Sequence, residues 1–273
     1  MNTTVVIVSF KSEKKIYNNL NKFRTAAKVL IIENSENFIM KKKIEKKFQN
    51  IEVIINKNQG YSQAINLGAR LAKSKYIFFC TPDNFVKKNT IEKLENFAKL
   101  LNDKFGVLSL TDYNNRVSKI TKVRKPWKEY EPGIGSFFMK KKVFSKISGF
   151  DEKFFLYVED KDFVKRLVEA KFLFYRVPLT FKDTKGSHNK KYDQQILINK
   201  NWHFMWSKFY FHRKLYGYLI SILITSPYLV WALIKTIQYI NNQKKSEIYK
   251  ARISGLINGY FLKKAWFRPN LDK

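Results

Sequence analysis

Residues 149–163 hold the densest chemistry in this chain: Gly149-Phe150-Asp151-Glu152-Lys153-Phe154-Phe155-Leu156-Tyr157-Val158-Glu159-Asp160-Lys161-Asp162-Phe163. Five acids crowd among aromatics in a protein that carries 53 Lys and Arg against 22 Asp and Glu. Carboxylates wedged between Phe and Tyr lose water, and lost water raises a carboxylate's pKa. A carboxylate tuned in this way is a candidate general base. The competing explanation is structural, because Asp160 and Asp162 stand at the start of an apparent helix, where negative charge complements the helix dipole. Hydrolysis by Asp160 and Asp162 as a carboxylate pair is a weak alternative, since residues two apart on a helix do not face each other.

The elements that must position these acids can be read from hydrophobic pattern. Thr4-Val5-Val6-Ile7-Val8-Ser9-Phe10 is a short continuous run with β-branched residues, as in a strand buried on both faces. Val29-Leu30-Ile31-Ile32, Ile51-Glu52-Val53-Ile54-Ile55 and Tyr76-Ile77-Phe78-Phe79-Cys80 repeat the pattern, and helical spacings separate them. The small residues Ala64, Gly68 and Ala72 give one helix a face suited to lying on a sheet, and Asn89 with Glu92 resembles a capping box. Strand and helix alternate four times, which predicts a doubly wound α/β domain with a mostly parallel sheet. Ligands of such sheets bind beyond the carboxyl ends of the strands. Ser9 and Phe10, Glu33 and Asn34, Asn58 to Gly60, and Asp83 with Asn84 all fall there. The segment 173–178 reads as a further strand with an edge-type proline. The helix after Asp160 would anchor that acid through Phe163, Val164, Leu167 and Val168.

The chain has 273 residues and a formal net charge of +31. Such a field favours anionic lipid or nucleic acid, but no zinc-ligand spacing, helix-turn-helix or basic zipper supports nucleic acid. Cys80 is the only cysteine, so no intramolecular disulfide forms. The run from Met1 straight into a strand, without a basic leader or lipidation motif, predicts a cytoplasmic protein. Neither the dinucleotide fingerprint nor the P-loop occurs, so a diphosphate would need another holder. A hard Mg²⁺ or Mn²⁺ on Asp83 would serve.

The order of these motifs resembles the family 2 glycosyltransferases, which have the GT-A fold, and especially the bacterial rhamnosyltransferase-like members that extend lipid-linked surface polysaccharides. The resemblance runs from Thr4 to about Ser187 and places a catalytic domain at 1–192. Its carriers are residues 5–10, Ile31 to Ser35, Asn58-Gln59-Gly60 with Asn66-Leu67-Gly68, Thr81-Pro82-Asp83, Gly135-Ser136-Phe137-Phe138-Met139-Lys140, Gly149-Phe150-Asp151-Glu152 and Glu159-Asp160-Lys161-Asp162. It implies that Ser9, Phe10, Glu33, Asn58, Gly60 and Asp83 bind the donor nucleotide, with Glu33 standing where the family usually has Asp. It implies that Asp83 holds Mg²⁺ or Mn²⁺, that Asp160 is the catalytic base supported by Glu159, and that Gly135 and Ser136 meet the acceptor. Asp183 takes the place of a family histidine and would be a second metal ligand. The implied reaction is a single displacement with inversion, from a nucleotide-sugar donor (dTDP-rhamnose first) to a polyprenyl-diphosphate-linked saccharide. Changes at Glu33, Thr81 and Asp183 leave open a sugar-nucleotide-binding or scaffolding protein that has lost activity. A basic nucleic-acid-binding protein is the third reading.

Residues 193–273 form a basic, aromatic helical extension. Within it, residues 215–234 carry no charge, a length that suits a membrane span. Pro227 in the middle and cations at both ends favour two helices lying in the cytoplasmic leaflet and broken near Pro227, with a single span as runner-up and a buried hairpin of a soluble protein third. An anionic membrane surface and a location on the cytoplasmic face of the membrane follow as expectations. His203 and His212 are read as non-ligands.

Overall fold

A computed structural model describes residues 1–112, 117–123, 136–184 and 193–268. The chain divides into two compact units. The first comprises Met1–Gln59, Gln63–Phe150 and Phe163–His188; the second comprises Gly60–Ser62, Asp151–Asp162 and Asn189–Lys273.

In the first unit the β-branched runs form strands as their pattern requires. β1 (Thr3–Ser9), β2 (Lys28–Glu33), β3 (Ile51–Ile55) and β4 (Tyr76–Cys80) lie side by side in the order β3-β2-β1-β4, all parallel. Helices α1 (Glu13–Leu20), α2 (Phe38–Lys47) and α3 (Tyr61–Leu71) connect them. Val5, Ile7, Val29, Ile31 and Phe78 are fully or almost fully buried, and burying a side chain of that size stabilises by ~1.5–3 kcal/mol. The small face of α3 does what its composition suggests: a Cβ on Gly68 would stand 2.4 Å from Val6 Cγ1.

Beyond β4 the sheet changes direction. Short β5 (Asn84–Val86) precedes α4 (Thr90–Leu100), and β6 (Val107–Asp112), β7 (Thr121–Lys122) and β8 (Ser136–Lys140) follow. After α5 (Lys141–Lys146) and α6 (Glu159–Glu169) comes β9 (Phe174–Asp183). The order continues β4-β8-β6-β9-β5, with β8 antiparallel to both neighbours and β7 also on β9. The sheet is therefore mixed, with its parallel block at one side.

Two expectations change here. The strand at 173–178 runs on to Asp183; Pro178 falls in the irregular stretch 177–179, between the β7 pairing at Tyr175 and Arg176 and the β5 pairing that begins at Phe181, and opposite the register shift with β6 between Ser109 and Thr111. A bulge is the other place where a residue lacking N–H fits a sheet. Asn89 does not cap α4 through its side chain, because its left-handed φ of 64° turns it away from the extended geometry a capping residue needs.

The second unit contains α7 (Asp193–Tyr216), α8 (Tyr218–Gln238) and α9 (Gln243–Tyr260). Its core joins Phe154, Val158, Trp202, Trp206, Tyr210 and Phe211 with Ala251. The expected break at Pro227 does not occur. Pro227 lies inside the continuous α8, and the break falls at Gly217, φ 80°. Proline cannot donate to the Leu223 carbonyl one turn back. The neighbouring Ser226 Oγ donates to that carbonyl instead, at 3.1 Å, so the helix keeps its polar groups satisfied.

Candidate active site

Four parallel strands bring their carboxyl ends to one edge of the first unit. Ser9 pairs in register with Glu33, and the Asn34 N–H donates to Ser9 O at 2.8 Å. Glu33 is 1% exposed. Its Oε1 accepts the Ser35 N–H at 2.8 Å and the Ser35 hydroxyl as well, which fixes the turn that leaves β2. The Asn56 N–H donates to Glu33 O, and the Asn56 amide reaches both Asn34 Oδ1 (2.8 Å) and Gln63 Oε1 (3.1 Å). Ser9 Oγ is buried and has no hydrogen-bond partner among the described residues. Phe10 is half-buried, and its carbonyl accepts from Ser12 Oγ at 2.8 Å. Asn58 also belongs to this unit.

Asp83 follows β4 at the same edge and is half-buried. Its carbonyl accepts the Thr184 N–H (3.0 Å) and the Thr184 hydroxyl (3.1 Å), while Asn84 pairs in register with Asp183. The extension of β9 thus brings the two acids, 100 positions apart in sequence numbering, to neighbouring rungs. Lys15, from the first turn of α1, joins them by donating to Thr184 O (3.2 Å) and Thr184 Oγ1 (2.9 Å). Ser136 is buried in the sheet, where its hydroxyl accepts from Asn84 Nδ2 at 3.1 Å and contacts Cys80 Sγ. Gly135 lies outside the described residues. Burial pushes the Cys80 thiol up to about 12, so it is an inert core group.

The acids of residues 151–162 belong to the second unit. The chain enters α6 through two left-handed residues, Tyr157 (φ 66°) and Val158 (φ 67°). A β-branched residue in that region is strained and persists only where its surroundings hold it. Glu159 and Asp160 open the helix. Glu159 is 7% exposed and its Oε2 has no partner among the described residues. Burial, with the charge of Asp160 added, pushes its pKa up to about 8. Asp160 is half-buried, and its Oδ1 accepts the Lys161 N–H at 2.9 Å.

Helix α7 supplies one side chain per turn to this segment, at positions 203, 207, 210 and 214. The His203 ring stacks on Phe155 at 4.3 Å, and Ser207 Oγ donates to Leu156 O at 3.1 Å. Tyr210 OH donates to Asp151 Oδ2 at 3.0 Å, and Lys214 Nζ reaches both Asp151 Oδ2 (2.8 Å) and Asp162 Oδ1 (2.5 Å). Burial pushes the Asp151 carboxyl up, but hydrogen bonds from Lys214, the Lys153 N–H and Tyr210, with the Lys214 charge, hold it below the usual range. His203 donates from Nε2 to Phe267 O at 2.8 Å, and burial drives its pKa to about 3, so it is a neutral core histidine.

Gly60 belongs to this unit too. The next N–H, of Tyr61, donates to Phe155 O at 2.8 Å. With φ at +107° and only 2.6 Å between an added Cβ and Phe155 O, no other residue fits there. Arg268 lies 3.6 Å over the Phe155 ring.

Sequence reading missed Lys15, Tyr210 and Lys214. Lys15 had no signal beyond its place after β1. The other two had one: polar residues recurring with His203 and Ser207 at spacings of four, three and four along an otherwise aromatic helix.

A parallel block with order 3-2-1-4, polar strand ends and an antiparallel strand turning the sheet defines an α/β fold of the GT-A type. The chain belongs to Glycosyl transferase family 2, whose pattern matches residues 4–162; it is a nucleotide-sugar-dependent glycosyltransferase. No curated protein sequence matches the chain. Among solved structures it resembles S. aureus TarS residues 1–349 at 14% identity and TM-score 0.55, covering 98% of this chain and 93% of that one. It also resembles GalNAc-T7 with UDP, GalNAc and Mn²⁺, at 14% identity and TM-score 0.53, over 67% of this chain and 43% of that one. A longer TarS structure matches at 14% identity and TM-score 0.55, over 95% and 54%. Likeness at that identity concerns the fold.

Proposed function

We propose that this glycosyltransferase inverts the anomeric centre of its donor sugar, with Asp160 as the base and a lipid-linked saccharide as acceptor. The carrying observation is the start of α6, where burial separates two adjacent acids. Glu159, with its pKa pushed up to about 8, stays protonated at neutral pH, while Asp160 beside it is half-buried and open to an acceptor. Asp160 takes the proton of the acceptor hydroxyl as that oxygen attacks the anomeric carbon and the bond to the donor diphosphate breaks. A single displacement of this kind inverts the centre.

At the strand ends of the first unit, Glu33 and the amides of Asn34 and Asn56 offer hydrogen-bonding groups for a nucleobase, Asn58 follows, and the unpartnered Ser9 hydroxyl is available to the nucleotide. Lys15 supplies positive charge for the diphosphate. A divalent ion fits the donor set: no three His, Cys, Asp or Glu cluster among the described residues, but Mg²⁺ typically takes one or two carboxylates and fills its shell with water and substrate phosphate. Asp83, with Asp183 beside it, would hold Mg²⁺ or Mn²⁺, which when bound neutralises charge on the leaving diphosphate. The motif order supports dTDP-rhamnose as donor and a role in building a cell-surface polysaccharide.

The second unit supports a membrane-bound acceptor, a polyprenyl-diphosphate-linked saccharide, reached from the cytoplasmic face. Leu219, Leu223, Val230, Ile234 and Ile237 of α8 are 54–73% exposed and follow one stripe. The opposite side buries Ser221, Thr225 and Ala232. Thr225 bonds Tyr260 of α9, while Trp231 packs on Tyr249 and under Arg252. A partner helix bearing Lys244, Lys245, Lys250 and Arg252 is costly in the bilayer centre. An in-plane seat on anionic lipid fits better than a span.

Incubating the protein with Mn²⁺ and a panel of nucleotide sugars, dTDP-rhamnose first, and following the product by NMR tests the reading. Transfer with an anomeric configuration opposite to the donor's is expected; retained configuration would overturn it.

A further inference from the structure

We infer that Lys214 is the positioning residue for the base, holding the first turn of α6 in place and setting the charge around Asp160. The inference rests on the reading of Asp160 as the base. Lys214 Nζ joins Asp151 and Asp162, and these two acids stand on opposite sides of the Tyr157–Val158 kink. One ammonium therefore ties the chain before the two left-handed residues to the chain after them. Backbone strain of this kind survives only where surrounding contacts over-determine it. Tyr157 and Val158 immediately precede the two acids that open the helix, so loosening the tie lets the kink relax and moves Asp160.

The Asp162 side chain is 4% exposed and that of Lys214 29%. A carboxylate so buried gains from a cation at this distance, and removing that cation is costly because little water can replace it. The Lys214 ammonium also lies 5.6 Å over the Phe154 ring and 5.8 Å over Tyr210, which narrows its freedom. Its position on α7 continues the stripe of His203, Ser207 and Tyr210, so the whole helix registers it against the acidic segment.

The charge argument has a definite sign. Asp151 and Asp162 contact Lys214 directly, Tyr210 and Arg213 lie beside them on α7, and Glu159, Asp160 and Lys161 share the first turn of α6 with Asp162. Burial and the nearby Lys208 and Lys161 lower the pKa of His212. Replacing Lys214 by Met removes the positive charge that Asp151 and Asp162 share, which favours the protonated form of Asp160. Replacing Asp162 by Asn leaves Lys214 with less opposing charge, which favours the ionised form. The two variants therefore move the acid limb of the pH–kcat profile in opposite directions, Lys214→Met up and Asp162→Asn down, each by about half a pH unit. A contact that merely held the fold together would lower activity in both without opposite shifts.

Steady-state kinetics across pH on Lys214→Met, Lys214→Arg, Asp162→Asn and Asp160→Asn test the inference, with melting temperature recorded for each. For Lys214→Met, kcat falls about 10–100-fold while donor KM stays within about threefold, and Lys214→Arg restores most of the rate. Limbs that stay put, or shift in the same direction, would overturn the role. If Lys214→Met does not fold, Asp162→Asn decides alone: a downward shift supports the inference and an unmoved limb overturns it. Asp160→Asn separates the two claims. If it retains turnover, the base assignment fails; if it is inactive while Lys214→Met turns over normally, only the positioning role fails.

Discussion

Glu159 and Asp160 are chemically alike and adjacent, yet burial sorts them. Glu159 loses its water and keeps its proton up to about pH 8 in the folded state, whereas an unfolded chain releases that proton near the ordinary glutamate value of about 4.3. Between those values the native state binds more protons than the unfolded state, so this group's contribution to stability falls as pH rises through the window and levels off above it. Replacing Glu159 by Gln removes the slope. Across pH 5 to 8 the variant gains on the parent by on the order of 1–3 kcal/mol, read as diverging denaturation midpoints; parallel curves would contradict the assigned burial. The acids themselves were legible in the sequence because their aromatic neighbours announced desolvation. The pairing of Asp151 and Asp162 with Lys214 was not, since the cation comes from a helix 52 positions beyond Asp162 and only tertiary packing selects it from many lysines. Asp183 illustrates a middle case. Its motif position suggested a ligand, but its placement beside Asp83 depends on β9 running past Pro178, and a proline reads locally as a stop.

Strands β1 to β4 and the helices between them declare themselves through period and composition, because a strand buried on both faces has little choice but a continuous β-branched run. β6 and β8 went unread although Val107-Leu108-Ser109-Leu110 and Phe137-Phe138-Met139 are equally apolar; each is short, and an antiparallel insertion has no crossover helix to mark it. Helix α8 shows local rules yielding to context. A proline in the middle of a helix costs ~3 kcal/mol where nothing compensates, yet the Ser226 hydroxyl occupies the orphaned carbonyl and the helix continues. That continuity gives α8 one unbroken apolar stripe, the feature behind the proposed membrane seat. Substituting Leu223, Ile234 and Ile237 by Asp together removes flotation with anionic liposomes while turnover on a water-soluble acceptor is unchanged. Flotation equal to that of the parent would contradict the seat.

Across the molecule, the charge of +31 acts over distances set by salt, about 8 Å at physiological ionic strength. It draws the protein toward anionic partners without choosing among them; the exposed apolar stripe of α8 is what favours a lipid surface in the proposed membrane seat. The strand ends proposed to meet the nucleotide lie in the first compact unit, and the acids that open α6 lie in the second. The second draws its core from Trp202, Trp206 and Phe211, whose aromatic character was plain in the sequence but whose partners were not, because aromatics suit an interfacial belt and a core equally well.

The most direct test of the central claim compares Asp160→Asn with the parent protein, measuring donor affinity by calorimetry and single-turnover transfer on the same preparation. Transfer should fall by about 10²–10⁴-fold with donor Kd unchanged within about threefold, as expected when a general base alone is lost. Turnover close to that of the parent would show that the proton goes elsewhere and that the chemistry assigned to α6 is wrong.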